Sequence, residues 1–327
     1  FYKLCLFNQQ LFQNKLMKNI LTFLFLTLSI FYSYSQRSIT NFNNNWQFIL
    51  EDNPSFSKEN VDVSSWKNLN VPHDWSFEKG VRKGGDQGQG GGYHDGGIGW
   101  YRKEFNIKKG SLSKITYINF DGVYMNSDVW VNGNHLGQRP YGYISFRYDI
   151  SKYLKEGENT IAVRVDNSLE PSARWYHPCG IYAAVKLIEV NPIHFKPNTI
   201  FITTPLIEKQ KAIVNIDAEV TATKKGLKYE VTLFSPTGKQ LNKTSEKLKV
   251  NNPNIQLEVE NPELWSPETP NVYKAVTQIF DGKKVIDEVE TTFGFKTVEW
   301  KTETGFWLNG ENVKLKGTCE HWEGGPV

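Results

Sequence analysis

Apolar and polar residues alternate along much of this chain with the two-residue period of β-strands. Residues 115–120, 127–131, 144–148 and 160–165 show this period, and Gly, Asn, Asp and Pro residues separate them. Successive side chains of a strand point to opposite faces of the sheet, so one face of each predicted strand is apolar and buried. Short strands at this spacing predict an all-β domain of the β-sandwich type.

A second group of alternating segments follows a proline-punctuated joint at residues 192–197. Its predicted strands are residues 212–220, 228–234, 255–259, 273–279 and 285–293. Several strands within about a hundred residues predict an immunoglobulin-like sandwich, although the Cys–Trp–Cys pattern of antibody domains is missing. Two Asn-Gly pairs, Asn132-Gly133 and Asn309-Gly310, predict tight hairpins, because a type I′ turn needs positive φ at both central residues.

The first 35 residues differ in composition from the rest. Met17 and Lys18 precede an apolar run at residues 20–32 that is too short to span a bilayer, and small residues follow at Ser33 and Ser35. We expect residues 17–35 to be a secretory signal peptide and residues 1–16 to be translated upstream sequence. The mature protein is then periplasmic or extracellular, with no membrane attachment after cleavage.

Charge and cysteine content argue against several function classes. There are 38 Lys and Arg residues against 35 Asp and Glu residues, so no field favours nucleic acid or an anionic membrane. Cys5, Cys179 and Cys319 have neither metal-ligand spacing nor the pattern of a disulfide framework, and we expect no cofactor and no metal. The glycine-rich stretch at residues 80–97 lacks the context of a phosphate loop and predicts a mobile surface loop.

Several short motifs resemble those of glycoside hydrolase family 2, which includes β-galactosidases, β-glucuronidases and β-mannosidases. In the family's order, they are Val-Pro-His-Asp-Trp at 71–75, Gly-Ile-Gly-Trp-Tyr-Arg-Lys at 97–103, Val-Trp-Val-Asn-Gly at 129–133, Arg-Trp-Tyr at 174–176 and Asn-Pro-Glu-Leu-Trp-Ser-Pro at 261–267. The resemblance implies a jelly-roll sugar-binding domain at residues 36–192 and an immunoglobulin-like domain at 193–297. It also implies the start of a truncated (β/α)8 catalytic barrel at 298–327, with a strand near 313–316.

The same resemblance implies a retaining glycosidase with a carbohydrate substrate. Such enzymes use two Glu residues about 5–5.5 Å apart, and in this family both belong to later barrel strands. Glu320 and Glu323 lie too early for either role, so we expect this fragment to be inactive alone. The predicted activity is that of a β-galactosidase acting on oligo- or polysaccharides. The alternatives are a β-glucuronidase or other family 2 glycosidase, and a non-catalytic carbohydrate-binding protein if the chain is naturally complete.

Three residues are candidate substrate contacts on this resemblance. His321 matches a family histidine beside the innermost sugar, and Trp322 either forms an apolar wall against the sugar or packs beneath the loop. Arg174 stands six residues before Gly180, where several members carry an Asp. Its planar cation suits a carboxylate or sulfate substituent as well as a neutral sugar, and an ion pair with Glu170 is an equal alternative. Oligomeric state, exact sugar and linkage are left open.

Overall fold

The computed structural model describes residues 37–169 and 176–319. In these ranges the chain is almost entirely β-strand, with one α-helix, α1 (Trp75–Lys79), and short 3-10 helices at Pro54–Ser57, Ser111–Ser113 and Ser151–Tyr153. No helix within these ranges has the length and apolar character needed to cross a bilayer.

The first β-sandwich contains ten strands in two antiparallel sheets. The strands are β1 (Ser38–Asn41), β2 (Trp46–Ile49), β3 (Lys67–Leu69), β4 (Gly97–Ile107), β5 (Ile115–Phe120), β6 (Ser127–Val131), β7 (Asn134–Arg139), β8 (Phe146–Asp149), β9 (Gly157–Asn167) and β10 (Val185–Val190). One sheet has the order β1-β10-β5-β8 and the other the order β3-β2-β4-β9-β6-β7. The core between them includes the fully buried Trp46, Phe120 and Val163. The predicted sandwich is confirmed.

The six-stranded sheet is buried on part of its outer face as well. Residues 51–66, which we call the covering segment, lie over this face and enclose a small apolar cluster around Trp66, Trp100 and Ala162. Arg102 anchors the segment by donating hydrogen bonds of 2.8 Å to the carbonyl oxygens of Phe56, Lys58 and Glu59. Burial of this guanidinium is offset by these carbonyl partners.

The second β-sandwich contains seven strands. They are β11 (Phe201–Ile207), β12 (Lys211–Asp217), β13 (Leu227–Phe234), β14 (Gln240–Lys247), β15 (Asn254–Glu260), β16 (Tyr273–Asp281) and β17 (Lys284–Phe293). The sheets have the orders β11-β12-β15 and β14-β13-β16-β17. Their inner faces bury a core that includes Val214, Tyr229 and Ala275. The immunoglobulin-like sandwich predicted from the sequence is therefore confirmed.

A third, small antiparallel sheet contains β18 (Val298–Lys301), β19 (Gly305–Leu308) and β20 (Glu311–Asn312). Both predicted Asn-Gly turns are confirmed, with φ of 49° and 75° at Asn132 and Gly133 and of 52° and 80° at Asn309 and Gly310. The strand predicted near residues 313–316 is wrong, because residues 313–319 form no strand. A barrel strand depends on a ladder with neighbouring strands, and the bond from the Val313 N–H to the Phe306 carbonyl oxygen does not continue into a ladder among the described residues.

A buried carboxylate joins the two large sandwiches. Asp287, on β17, is completely buried and accepts hydrogen bonds from Arg37 Nε at 3.2 Å and Arg37 Nη2 at 2.9 Å. It also accepts one of 2.8 Å from the backbone N–H of Phe195. One side chain therefore connects the start of the first sandwich, the joint between the sandwiches and the second sandwich.

His194 links the joint to the first sandwich. Its Nδ1 lies 2.7 Å from the carbonyl oxygen of Asn191, and its Nε2 lies 3.1 Å from the hydroxyl of Tyr117. A carbonyl oxygen only accepts, so Nδ1 carries the proton and the neutral ring accepts from Tyr117 at Nε2. Burial lowers the pKa of His194 and supports this neutral state.

We expect Asp287→Ala to lower the free energy of unfolding by roughly 3 kcal/mol, because it removes the buried carboxylate that pairs with the Arg37 cation and accepts from the Phe195 N–H. Urea unfolding followed by tryptophan fluorescence measures this. The matched control is Asp281→Ala, which breaks an exposed pair with Lys224 and is expected to change stability by less than about 1 kcal/mol. Equal effects of the two substitutions would contradict the assigned role of Asp287.

We expect the stability of the chain to decrease as the pH falls below the unfolded-state histidine pKa of about 6.5. The pKa of His194 is lowered in the folded state, so the unfolded chain binds more protons in the window between the two pKa values. His194→Gln removes this titration and should reduce the loss of unfolding free energy between pH 7.5 and pH 5.5. An unchanged pH slope in that variant would show that His194 does not contribute.

Candidate functional site

One end of the first sandwich gathers polar and aromatic side chains from segments that are distant in sequence. Helix α1 begins there, because Asp74 caps it by accepting hydrogen bonds from the backbone N–H groups of Ser76 and Phe77 at 3.0 and 3.1 Å. The N–H groups of His73 and Trp75 donate to the carbonyl oxygens of Ile181 and Cys179. These bonds hold the start of α1 against residues 179–181.

Tyr176 completes the cap of α1 from the other segment. Its hydroxyl donates to Oδ2 of Asp74, the oxygen that does not cap the helix. The Tyr176 ring packs against His94 with 4.5 Å between the ring centroids. Burial, and next the adjacent Asp74 carboxylate, raise the pKa of Tyr176 well above its ordinary value, so the phenol stays protonated and remains a donor.

A second group lies beside this pair. Asn167, at the end of β9, donates from Nδ2 to the sulfur of Cys179 at 2.8 Å and lies 3.3 Å from Nδ1 of His177. The ring of Tyr124 stacks on His177 at 4.7 Å. Burial lowers the pKa of His177 and raises that of Cys179 to about 12, so the imidazole is neutral and the thiol is protonated at neutral pH. A protonated thiol is a poor nucleophile, which argues against cysteine chemistry here.

The same end of the sandwich exposes aromatic rings. Tyr143 contacts the ring of Tyr124 with 5.0 Å between centroids, and Tyr141 contacts Tyr143. Tyr141 is 63% exposed and Phe77, on α1, is 74% exposed. Exposed aromatic rings beside buried hydrogen-bonding groups are typical of binding surfaces. We call residues 74–77, 124, 141–143 and 176–180, with Asn167, the loop end.

The glycine-rich stretch packs onto the loop end. Arg82 donates two hydrogen bonds of 2.7 Å to Asp95, and Oδ1 of Asp86 accepts one of 2.7 Å from the backbone of Gly96. A Cβ atom at Gly96 would lie 2.2 Å from the carbonyl oxygen of Asn167, so only glycine permits this approach. The stretch lies at the surface as expected, with residues 81–84 exposed, while these contacts hold it against the loop end and bury His94 and Asp95. Its mobility stays a prediction.

The three candidate residues from the sequence, Arg174, His321 and Trp322, lie outside the described residues. The structure describes Tyr176, two positions after Arg174, and this tyrosine belongs to the loop end. Among residues 37–169 and 176–319, no group of three or more His, Cys, Asp and Glu side chains is arranged to hold a metal ion.

Sequence reasoning missed the pair of Asp74 and Tyr176, which are 102 positions apart. Both residues stand in motifs that resemble those of the family. These motifs were the sequence signal that could have identified the two residues as part of a site. No local pattern connects the two motifs, because only the folded sandwich brings them together.

Comparisons with known proteins agree with this architecture. A family model described as the sugar binding domain of glycosyl hydrolases family 2 matches residues 39–191, and one described as glycosyl hydrolases family 2 matches residues 193–296. The chain belongs to glycosyl hydrolase family 2. Family membership accounts for the order of the sequence motifs and for the succession of two sandwiches.

Family 2 relatives are similar over nearly the whole chain. A Formosa agariphila protein provisionally named a β-glucuronidase is 76% identical over 91% of this chain and 29% of its own length. A β-galactosidase of Bacteroides ovatus is 38% identical over 88% of this chain and 35% of its own length. The crystal structure of a β-glycosidase from Bacteroides vulgatus matches with a TM-score of 0.82 and 39% identity, covering 86% of this chain and 37% of that one. The chain spans about a third of the length of these relatives.

We expect the thiol of Cys179 to resist alkylation in the folded protein, because it is buried and its pKa is raised to about 12. At pH 8 its rate with iodoacetamide should be at least about a hundredfold below that of free cysteine. Peptide mass mapping after timed labelling measures this. Labelling in urea is the control, and equal rates in the folded and unfolded protein would show that the loop end is open to solvent.

Proposed function

We propose that this chain is the N-terminal, non-catalytic region of an exported retaining glycosidase that hydrolyses β-glucuronides. Membership of glycosyl hydrolase family 2 supports hydrolysis of glycosidic bonds and a carbohydrate substrate. The observation that carries the choice of sugar is the 76% identity to a protein provisionally named a β-glucuronidase. The signal-peptide pattern at residues 17–35 supports export.

Arg174 adds a chemical argument for an acidic sugar. A guanidinium presents paired donors that match the two oxygens of a carboxylate, whereas a neutral hydroxymethyl group offers no such partner. Tyr176, which donates to Asp74, lies two positions after Arg174. We therefore assign the loop end to the sugar side of the substrate site, and we propose Arg174 as the partner of the glucuronyl carboxylate.

The reaction itself is assigned to a part of the protein outside these two sandwiches. In a retaining mechanism one Glu attacks the anomeric carbon and forms a glycosyl-enzyme intermediate, while a second Glu protonates the leaving oxygen and later activates water. We propose that both Glu residues belong to the catalytic barrel of the full-length protein. The sandwiches then supply sugar recognition and the framework that holds it.

A β-galactosidase, the activity predicted from the sequence, is the second candidate. The relative from Bacteroides ovatus supports it, because that protein is named a β-galactosidase and is 38% identical to this chain. A non-catalytic carbohydrate-binding protein is the third possibility. Measurements of substrate turnover distinguish these three possible functions.

The test compares hydrolysis of p-nitrophenyl β-D-glucuronide and p-nitrophenyl β-D-galactoside by the full-length protein. We expect kcat/KM for the glucuronide to be higher than that for the galactoside by roughly a hundredfold or more. The reason is that a neutral galactosyl group offers no carboxylate to pair with the proposed Arg174 cation. Arg174→Lys should reduce this preference, since lysine cannot form the bidentate contact. Arg139→Lys, on the same sandwich, is the matched control and should leave it unchanged.

Other outcomes assign the protein differently. Preference for the galactoside would select the β-galactosidase, and no turnover of either substrate by the full-length protein would favour the carbohydrate-binding protein. Product analysis by proton NMR should show retention of the anomeric configuration. Turnover by purified residues 36–327 would contradict the placement of both Glu residues outside this region.

A further inference from the structure

The outer face of the six-stranded sheet holds a cleft that shares no residue with the loop end. Its volume is about 480 Å³, and its lining includes Asp52, Trp100, Asp128, Trp130, His135 and Arg164. We call this cavity, defined by these six residues, the outer cleft. A volume of this order is within the range of small-ligand sites.

The outer cleft has an aromatic floor that is only partly covered. Trp100 is 1% exposed beneath the covering segment, whereas Trp130 is only half-buried. The two indole rings stack with 5.1 Å between centroids, and the ring of His135 lies 5.0 Å from that of Trp130. The covering segment thus closes the sheet face over Trp100 and leaves the part around Trp130 open.

The polar side chains of the cleft come from adjacent strands. Asp128 on β6 stands opposite Arg164 on β9. Nε2 of His135 lies 2.7 Å from Oδ1 of Asp128. Arg164 donates two hydrogen bonds of 2.9 Å to Asp52 of the covering segment. These bonds fix the side chains before a ligand arrives, which reduces the entropy lost on binding.

The charges of the cleft select against an anionic ligand. Two carboxylates of the lining, Asp52 and Asp128, lie beside a single guanidinium, Arg164, which also pairs with the carboxylate of Asp166 at 3.1 Å. Carboxylates therefore outnumber guanidinium groups here. The hydrogen bonds from Arg164 hold the pKa of Asp52 below its ordinary value, so this carboxylate stays ionised at neutral pH. A uronate or a phosphate would meet repulsion here.

We propose that the outer cleft is a second carbohydrate-binding site, which holds a neutral sugar unit of a polysaccharide. A sugar offers hydroxyl groups that both donate and accept, and C–H faces that pack on aromatic rings. Carboxylate, imidazole and guanidinium groups around an indole match this combination. Trp100 stands three residues along β4 from Gly97, near the loop end. A bound polysaccharide would thus be held on the same sandwich as the proposed substrate site.

This proposal does not depend on which sugar the enzyme cleaves, and its test measures binding alone. We would titrate the full chain with neutral tetrasaccharides of galactose, mannose, xylose and glucose by isothermal calorimetry. At least one is expected to bind, and Trp130→Ala and His135→Ala should each weaken it by roughly tenfold or more. His135 is exposed, so its substitution keeps the test valid if Trp130→Ala perturbs the packing on Trp100.

Trp300→Ala is the matched control, because Trp300 is 71% exposed on β18 and lies outside the cleft. It should bind the tetrasaccharide as the unsubstituted chain does. The proposal is overturned if no neutral tetrasaccharide binds more tightly than about 10 mM, or if both cleft variants bind unchanged. It is also overturned if Trp130→Ala converts an oligomer to a monomer, since the cleft would then be an interface between copies. Hydrolysis of the aryl glycosides by the full-length protein should be unaffected by the same cleft substitutions.

Discussion

The antiparallel ladder between β4 and β9 is the interaction on which the first sandwich depends. It contributes residues to the core, to the outer cleft and to the loop end. It runs from Gly97 opposite Asn167 to Ile107 opposite Gly157. Side chains alternate along it, so Tyr101, Phe105 and Val163 enter the core, while Trp100 and Arg164 on the other face line the outer cleft. A slip of one residue would move every core side chain to the outer face. Core burial therefore fixes the geometry of both polar surfaces.

How well a strand can be predicted from the sequence depends on how its side chains are buried. The bounds predicted for β5 and β6 are those found, because one face of each strand packs into the core and gives a clear two-residue period. Strand β14 was missed, since its side chains are mostly polar and exposed and its place depends on the hydrogen-bond ladder with β13. An edge strand of this type carries no apolar alternation. The predicted barrel strand depended on resemblance alone, and residues 313–319 form no strand.

The candidate site was less predictable than the fold, because its contacts connect segments that are far apart in sequence. The family motifs identified the segments that carry Asp74 and Tyr176, but their pairing depends on how the sandwich closes. The glycine-rich stretch suggested a loosely held loop. In the structure, Gly85 and Gly96 permit close backbone approach, to Tyr93 and Asn167 respectively. Composition shows that a segment departs from regular structure, whereas the reason for the departure is visible only in three dimensions.

The protonation states of the loop end bear on its chemical role. The phenol of Tyr176 and the thiol of Cys179 stay protonated, and His177 stays neutral, because burial opposes the charged form of each group. General acid–base catalysis needs a group that exchanges its proton near the working pH. These side chains instead keep fixed donor and acceptor roles, which hold the segments of the loop end together. In the proposed reaction, proton transfer is therefore assigned to the carboxylates of the catalytic barrel, and the loop end acts by positioning the substrate.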